Sequence, residues 1–198
     1  MRIIGGTARG RRLIAPRGAT TRPTSDRVRE SLFATLGSRR GSGDSPWEST
    51  RVLDLFAGSG ALGLEALSRG AGSVVFVESN RSALTALRRN IEAVDLPGSS
   101  VLAIDAWRYA SDAAGPAFDL VFCDPPYSVD GERISTLVAS LIRGGRLAVG
   151  CDVVVERDIR SPQEPWPPTS DLIDLDRRAY GETALWYGRY EPSATCAT

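Results

Sequence analysis

The residues that most directly suggest chemistry are Asp124-Pro125-Pro126-Tyr127, which follow an apolar run that ends at Cys123. Two consecutive prolines fix φ twice and remove two N–H donors, so they predict a stiff turn at a strand end. The Asp124 carboxylate and the Pro125 carbonyl then become acceptors for the N–H groups of an amine. Two such acceptors orient the amine lone pair toward an electrophile and stabilise the charge that develops on nitrogen. Tyr127 adds a flat face on which a base can stack, so these four residues are the predicted catalytic residues.

A glycine-rich turn, GSGALG at positions 58–63, follows the apolar run 52–55 and precedes a helix-forming segment. This order is typical of a buried parallel strand, a tight turn and a helix N-terminus whose N–H groups face a ligand. Gly58 and Gly60 allow positive φ and a close approach of the backbone to that ligand. The turn matches G-x-G-x-x-G, so a dinucleotide and S-adenosylmethionine (SAM) are both candidates. Asp54 favours SAM, because a carboxylate beside the turn would repel a bound pyrophosphate.

Three carboxylates, those of Asp54, Glu78 and Asp105, end three successive predicted strands. Because parallel strands direct their carboxyl ends to one edge of a sheet, we expect all three side chains to face one crevice. Glu78 lies 24 residues beyond Asp54, at the place where an acidic residue hydrogen-bonds the ribose hydroxyls. Asp105 follows the next strand along and can accept from an adenine amine. The three acids are therefore predicted to bind the cofactor.

The elements that must hold these residues alternate between strands and helices, which predicts an α/β fold with a parallel, doubly wound sheet. Apolar periodicity predicts strands at 51–55, 73–78, 101–104, 118–123 and 146–156, and helices at 25–37, 59–68, 81–96 and 132–142. Residues 172–180 and 183–190 predict an antiparallel hairpin through Gly181 that closes the sheet.

Residues 1–20 are predicted to form a small basic β-hairpin, the N-terminal arm, because two short apolar runs flank a glycine-rich turn. Residues 1–40 contain ten arginines and two acidic residues, a net charge of +8 in a chain that is neutral as a whole. This asymmetry indicates a polyanionic partner, and arginine suits phosphate contacts and base stacking; a solvated basic face is the alternative. The predicted RNA contacts are Arg2, Arg9, Arg11, Arg12, Arg17 and Arg22. Residues 21–191 are assigned to the main domain, and residues 192–198 are expected to be disordered.

The composition excludes several classes of protein. The 198 residues include no histidine, which excludes Ser-His-Asp and Cys-His catalysis and any His-ligated metal. Three scattered cysteines indicate a reducing compartment and argue against zinc, so no metal is expected. No apolar stretch is long enough to span a membrane, and the N-terminus lacks the apolar core of a signal peptide. We therefore expect a cytoplasmic protein without a membrane partner, and a monomer.

These motifs resemble the RsmD family of SAM-dependent nucleic-acid amino-methyltransferases. The resemblance rests on Asp124–Tyr127 and on RIIGG at 2–6, RGR at 9–11, RPT at 22–24, DRVRESLF at 26–33 and FAGSGALGLEALSRG at 56–70. It implies a Rossmann-like class I SAM-dependent methyltransferase fold with seven strands. It also implies methylation of the exocyclic N2 of guanine 966 in bacterial 16S rRNA, with the small ribosomal subunit as partner. The implied cofactor contacts are Thr24, Asp54, Phe56, Ala57, Gly58, Ser59, Gly60, Glu78, Ser79, Asp105 and Ala106.

Three other functions remain open at this point. The Asp-Pro-Pro-Tyr motif also serves DNA amino-methyltransferases that act on adenine N6 or cytosine N4, although the chain has no obvious target-recognition domain. A nucleotide-binding dehydrogenase would leave the turn at Asp124 and the N-terminal arm unexplained. A non-catalytic RNA-binding protein would not need acceptors at every strand end. Methyl transfer from labelled SAM to RNA, DNA and protein separates these alternatives.

Overall fold

A seven-stranded sheet forms the centre of the computed structural model, which describes residues 1–16, 25–41, 47–112, 115–161, 163–168 and 171–192. The elements in chain order are α1 (Asp26–Arg39), β1 (Arg51–Leu55), α2 (Ala61–Ser68), β2 (Ser73–Val77), α3 (Arg81–Val94), β3 (Ser99–Leu102), α4 (Ala106–Ser111), β4 (Phe118–Cys123), α5 (Gly131–Arg143), β5 (Leu147–Asp158), β6 (Leu172–Tyr180) and β7 (Thr183–Tyr190). The strand order is β3-β2-β1-β4-β5-β7-β6, and β7 runs antiparallel to both β5 and β6. The predicted α/β fold with its closing hairpin is therefore confirmed.

Helices cover both faces of the sheet, because successive side chains of a buried strand point to opposite faces. In β1, Val52 packs in the core under α1, α2 and α3, whereas Leu53 packs in the core under α4 and α5; both are fully buried. The strand order reverses between β1 and β4. Open α/β sheets bind ligands at such a point, in the crevice at the carboxyl ends of the strands.

Several predicted element boundaries are wrong by one or two residues, and two of them have an identifiable cause. α1 does not stop at Gly37 but continues to Arg39, whose Nη1 lies 3.5 Å from the buried carboxylate of Asp152; this ion pair holds the last turn. β3 is two residues earlier than predicted, because Ser99 pairs with Val74 and the pairing with β2 ends at Leu102. The apolar residues 101–104 suggested the later position, but backbone pairing with β2 determines where the strand lies.

The N-terminal arm forms an antiparallel bridge between Arg2 and Arg12 rather than two full strands. It lies against α2, where Glu65 is fully buried and accepts hydrogen bonds from the N–H groups of Ile4 (2.7 Å) and Gly5 (2.8 Å). The Ser68 carbonyl accepts from the Thr7 N–H at 2.7 Å. A buried carboxylate needs such partners, so the contacts to α2 fix the position of the arm on the domain.

Gly6 is the tightest point of this contact. Its φ is +78°, and a Cβ there would lie 1.7 Å from the Ser68 carbonyl oxygen. Gly6→Ala should therefore lower the free energy of unfolding by about 2–3 kcal/mol, through both overpacking and backbone strain. Gly10→Ala is the matched control, because Gly10 has φ +87° but no atom of the described part of the chain within 4 Å of an added Cβ. The Gly10→Ala variant should lose only about 1 kcal/mol of unfolding free energy, from backbone strain alone. If chemical denaturation gave the same loss of unfolding free energy for both variants, the close packing of Gly6 against α2 would contribute nothing to stability.

Several predicted features lie outside the described residues: Thr24, Arg17, Arg22 and positions 193–198 of the tail. The division of the chain at residue 20 therefore stays a prediction. Within the described ranges, none of the helices has the length and apolarity required to cross a membrane.

Candidate active site

The crevice lies at the carboxyl ends of β1, β2 and β4, whose last residues are in register. Leu55 pairs with Val77 on one side and with Cys123 on the other. The residues that follow these strand ends therefore meet at one edge of the sheet. The fold thus brings the glycine turn, Glu78 and Asp124 together, as the sequence predicted.

The glycine turn has the predicted backbone conformation. Gly58 and Gly60 have φ values of +56° and +79°, and Gly60 is the residue that caps α2. A Cβ on Gly60 would approach Leu87 Cδ1 to 2.4 Å. Among the described residues, a Cβ on Gly58 would have only the Phe56 oxygen nearby, at 3.8 Å. Gly60 is thus required by packing, and Gly58 leaves room for a ligand. Phe56 also has positive φ, +58°, which is uncommon for a residue with a side chain.

Asp54 does not point into the open crevice as expected. It is buried, and its Oδ2 accepts from the Gly63 N–H at 3.0 Å. Burial raises the pKa of Asp54 to about 8; the Gly63 hydrogen bond opposes this rise, and the charge of Glu78 adds to it. The Asp54 carboxyl group therefore anchors the first turn of α2 through its hydrogen bond with the Gly63 N–H.

Glu78 is partly exposed and fixes the loop around it. Its Oε2 accepts from the Gly58 N–H at 2.8 Å, and its Oε1 accepts from the N–H groups of Ser79 (2.8 Å) and Asn80 (2.7 Å). A carboxylate offers about four lone-pair sites, so capacity remains for a ligand hydroxyl. Glu78 therefore links the glycine turn to the end of β2.

The adenine side of the predicted cofactor site is formed by the start of α4. Asp105 is exposed and caps this helix, because its Oδ1 accepts from the N–H groups of Trp107 (3.0 Å) and Arg108 (3.1 Å). The Trp107 ring packs edge-on against Phe56, with the two ring centroids 5.3 Å apart. The Arg133 guanidinium lies over the Trp107 ring, 4.4 Å from its centroid. Ala106 is buried beside it. Aromatic faces and an acceptor in this arrangement suit a flat, amine-bearing ring.

Three further predicted contacts lie in the glycine turn or beside Glu78. Ser59 is buried, and its hydroxyl lies 3.9 Å from the Met1 sulfur, so this side chain faces the N-terminal arm. Ala57 is buried and donates its N–H to Val77 O at 3.1 Å. Ser79 is exposed at the loop beside Glu78.

Asn90 was missed by the sequence analysis. It is fully buried, accepts from the Ile14 N–H at 2.8 Å and donates to the Ile14 and Ser59 carbonyls at 2.9 and 2.8 Å. It therefore joins the N-terminal arm to the glycine turn. A polar residue within the apolar stripe of a predicted helix was the available signal.

The turn at Asp124 is closed between Pro126 and Val129, where the Val129 N–H donates to the Pro126 carbonyl at 2.9 Å. The Tyr127 hydroxyl hydrogen-bonds the side chain of Thr183, the first residue of β7, which fixes the ring. Pro125 is buried and Pro126 is exposed, so the turn stands at the rim of the crevice. Asp124 is partly exposed there.

The electrostatics of Asp124 depend on carboxylates from two neighbouring strands. Its pKa is raised, first by desolvation and then by the negative charges of Glu156 and Asp54. Glu156 lies within the predicted strand 146–156, but it was not among the predicted site residues. Glu156 follows the apolar run Val153–Val155 near the carboxyl end of β5, as Asp124 follows β4, and that position was the missed signal.

Four of the predicted RNA contacts lie in the described part of the N-terminal arm. Arg9, Arg11 and Arg12 are exposed, and the Arg11 guanidinium also donates to the Ala93 carbonyl at the end of α3. Arg2 is exposed as well and lies 3.6 Å from the Asp26 carboxylate. In the described ranges, no group of three or more acidic or cysteine side chains has the geometry to hold a metal ion.

A family model described as "Conserved hypothetical protein 95" matches residues 1–189. The "Putative rRNA methyltransferase YlbH" of Bacillus subtilis is 35% identical over 93% of this chain and 96% of its own length. The chain belongs to the RsmD family.

Two further matches are a curated relative and a solved structure. "Ribosomal RNA small subunit methyltransferase D" of Escherichia coli K12 is 39% identical over 64% of this chain, and the match spans 60% of that protein. The solved structure "Putative methyltransferase yhhF from Escherichia coli" superposes with a TM-score of 0.79 at 34% identity, and the match covers 96% of this chain and 98% of that one. The Rossmann-like SAM-dependent methyltransferase fold is thereby confirmed for this RsmD-family chain.

Proposed function

We propose that this RsmD-family protein transfers a methyl group from SAM to the exocyclic N2 amine of a guanine in small-subunit rRNA, at the site corresponding to position 966. The turn at Asp124, at the rim of the crevice beside the glycine turn, is the observation that carries the proposal. The relatives named as rRNA methyltransferases support the substrate class. The protein would act as a cytoplasmic monomer and would need no metal.

The residues of the crevice fit SAM. Glu78 offers a carboxylate for the ribose hydroxyls, Asp105 has an oxygen beyond the one that caps α4, and Gly58 leaves space above the turn. The SAM sulfonium supplies an activated methyl group, so neither a metal nor a histidine is required. Asp124 and the Pro125 carbonyl would hold the target amine, and Tyr127 would stack on its base.

The decisive experiment is methyl transfer from labelled SAM to unmodified small ribosomal subunits, free 16S rRNA, duplex DNA and a protein mixture. We expect label in the rRNA, at one guanine N2, after nuclease digestion and mass analysis. Label in duplex DNA would instead support an adenine N6 or cytosine N4 methyltransferase. SAM binding without transfer to any of these substrates would contradict the proposal.

The N-terminal arm should contact RNA phosphates, and charge substitution tests this better than truncation. Removing the arm would leave the buried Glu65 without two of its donors, so a truncated protein would lose stability for another reason. Arg9→Gln with Arg12→Gln should weaken RNA binding and flatten its log–log salt dependence by about 1.5, since each phosphate contact contributes about 0.7–0.9. Filter binding at several salt concentrations measures this slope.

Arg108→Gln with Arg143→Gln is the matched control, because it removes two exposed arginines from α4 and α5, on the other side of the sheet. The control should leave the slope and the affinity unchanged. SAM binding should persist in both double variants. Equal slopes for the two would show that the N-terminal arm is only a solvated basic surface.

A further inference from the structure

Methyl transfer to an amine releases a proton, and the crevice must accept it. The nitrogen lone pair forms the N–C bond while the C–S bond of the donor breaks and its electron pair stays on sulfur. The nitrogen then carries a positive charge and both of its hydrogens. One of these must leave as a proton to give the neutral secondary amine. Asp124 is the carboxylate proposed to contact that amine, so it is the nearest acceptor.

Glu156 lies next to Asp124 by strand register. Cys123 of β4 pairs with Val155 of β5, so the next residues along these parallel strands, Asp124 and Glu156, are neighbours at the crevice. Glu156 is only 3% exposed, and on its other side it pairs with Leu185 of β7. A carboxylate in this position is shielded from water, so its charge acts strongly on its neighbour.

We propose that Glu156 is a positioning residue for the reaction: its buried carboxylate, next to Asp124 on the neighbouring strand, holds Asp124 as the acceptor of the proton that the methylated amine releases. This inference rests on the proposed function. Like charges held close together in a poorly solvated place cannot both stay ionised at low cost, so the pair readily takes up one proton. The proton later leaves Asp124 for solvent when the product departs.

The electrostatics support this assignment. The largest charge effect on Asp124 comes from Glu156, followed by Asp54, and both raise its pKa. The same Glu156 charge also raises the pKa of Tyr127, within the same turn. The nearest cation on β5 is Arg157, whose Nη2 donates to the Val129 carbonyl at 3.0 Å and to the Ser161 hydroxyl at 3.2 Å. Arg157 thus holds the loop behind the turn.

Charge is also conserved in the crevice during the reaction. Before transfer, a bound sulfonium provides one positive charge opposite the ionised Asp124. After transfer, the thioether product is neutral, and Asp124 carries the proton. The two states therefore have the same net charge, which keeps the change in solvation small in a site shielded from water.

The test is the pH dependence of kcat/KM for the RNA substrate at saturating SAM, for the wild-type protein, Glu156→Gln and Glu156→Asp. Removing the Glu156 charge lowers the pKa of Asp124, so the ionised base persists to lower pH. In the pH profile of Glu156→Gln, the acid limb of kcat/KM should therefore move to lower pH by roughly one unit. Its plateau rate should fall by less than about tenfold, because a weaker base remains. Glu156→Asp keeps the charge and should leave the limb in place.

A plateau that falls while the acid limb of Glu156→Gln stays in place would show a purely structural role and overturn the proposal. If that variant does not fold, as judged by its thermal melt and SAM binding, Asp124→Asn decides. Its residual activity should have no acid limb, and a limb that persists there also overturns the proposal. Absence of transfer by the wild-type protein would refute the proposed function itself, which is a separate outcome.

Discussion

Asp124→Ala is expected to lower kcat for methyl transfer by about 10²–10³-fold, the scale for removing one preorganised polar partner of a developing charge. The side chain lies at the rim of the crevice, beyond the residues proposed to hold SAM, so the affinity for SAM should change little. Single-turnover transfer and calorimetric SAM binding measure the two quantities separately. Asp112→Ala is the control, because Asp112 is exposed at the end of α4 and should keep full activity. Activity within a few-fold of wild type would remove Asp124 from the proposed mechanism.

The thermal stability of the protein provides a second test of the charge at Asp124. Asp124 has a raised pKa beside Glu156 and Asp54, so its ionised form destabilises the fold at pH values above its ordinary pKa. Asp124→Asn removes that charge and keeps the shape, and it should raise Tm at pH 8. The gain should vanish at pH values well below 4, where the carboxyl group is protonated in both the folded and the unfolded state. Lost activity with gained stability is expected where a charge is retained for function.

The central strands could be predicted from sequence because they are apolar runs bounded by turns. β1 and β4 begin and end at the predicted residues, and so do both strands of the closing hairpin at Gly181. The end of α1 could not be predicted, since it depends on an ion pair with Asp152, which is distant in sequence. Local signals such as Gly37 cannot report such partners.

Some site residues could be predicted from their place along a strand, and others could not. Glu78 and Asp124 were identified because each follows the end of a strand. Parallel strands in register bring such residues together at one edge of the sheet. The orientation of Asp54 toward Gly63 and of Ser59 toward Met1 depends on how the N-terminal arm and α2 pack. Glu156 was missed because its importance comes from a neighbour on another strand.

Glu78→Ala is expected to weaken SAM binding by about 100-fold, since hydrogen bonds to charged groups contribute about 1.5–3 kcal/mol each. The substitution has two consequences that must be separated. It removes the proposed ribose acceptor, and it releases the N–H groups of Gly58, Ser79 and Asn80, which the carboxylate now binds. Glu92→Ala, at an exposed position of α3, is the control and should bind SAM normally.

A double-mutant cycle with a modified ligand distinguishes these consequences. The affinities of wild type and Glu78→Ala are measured for S-adenosylhomocysteine and for its 2′-deoxy analogue. If Glu78 binds the ribose, the analogue has already lost one of those hydrogen bonds, so the penalty of the substitution should shrink by about tenfold. If Glu78 acts only by ordering the glycine turn, the penalty should be the same for both ligands. An equal penalty would assign the ribose hydroxyls to another residue and leave Glu78 as the link between β2 and the turn.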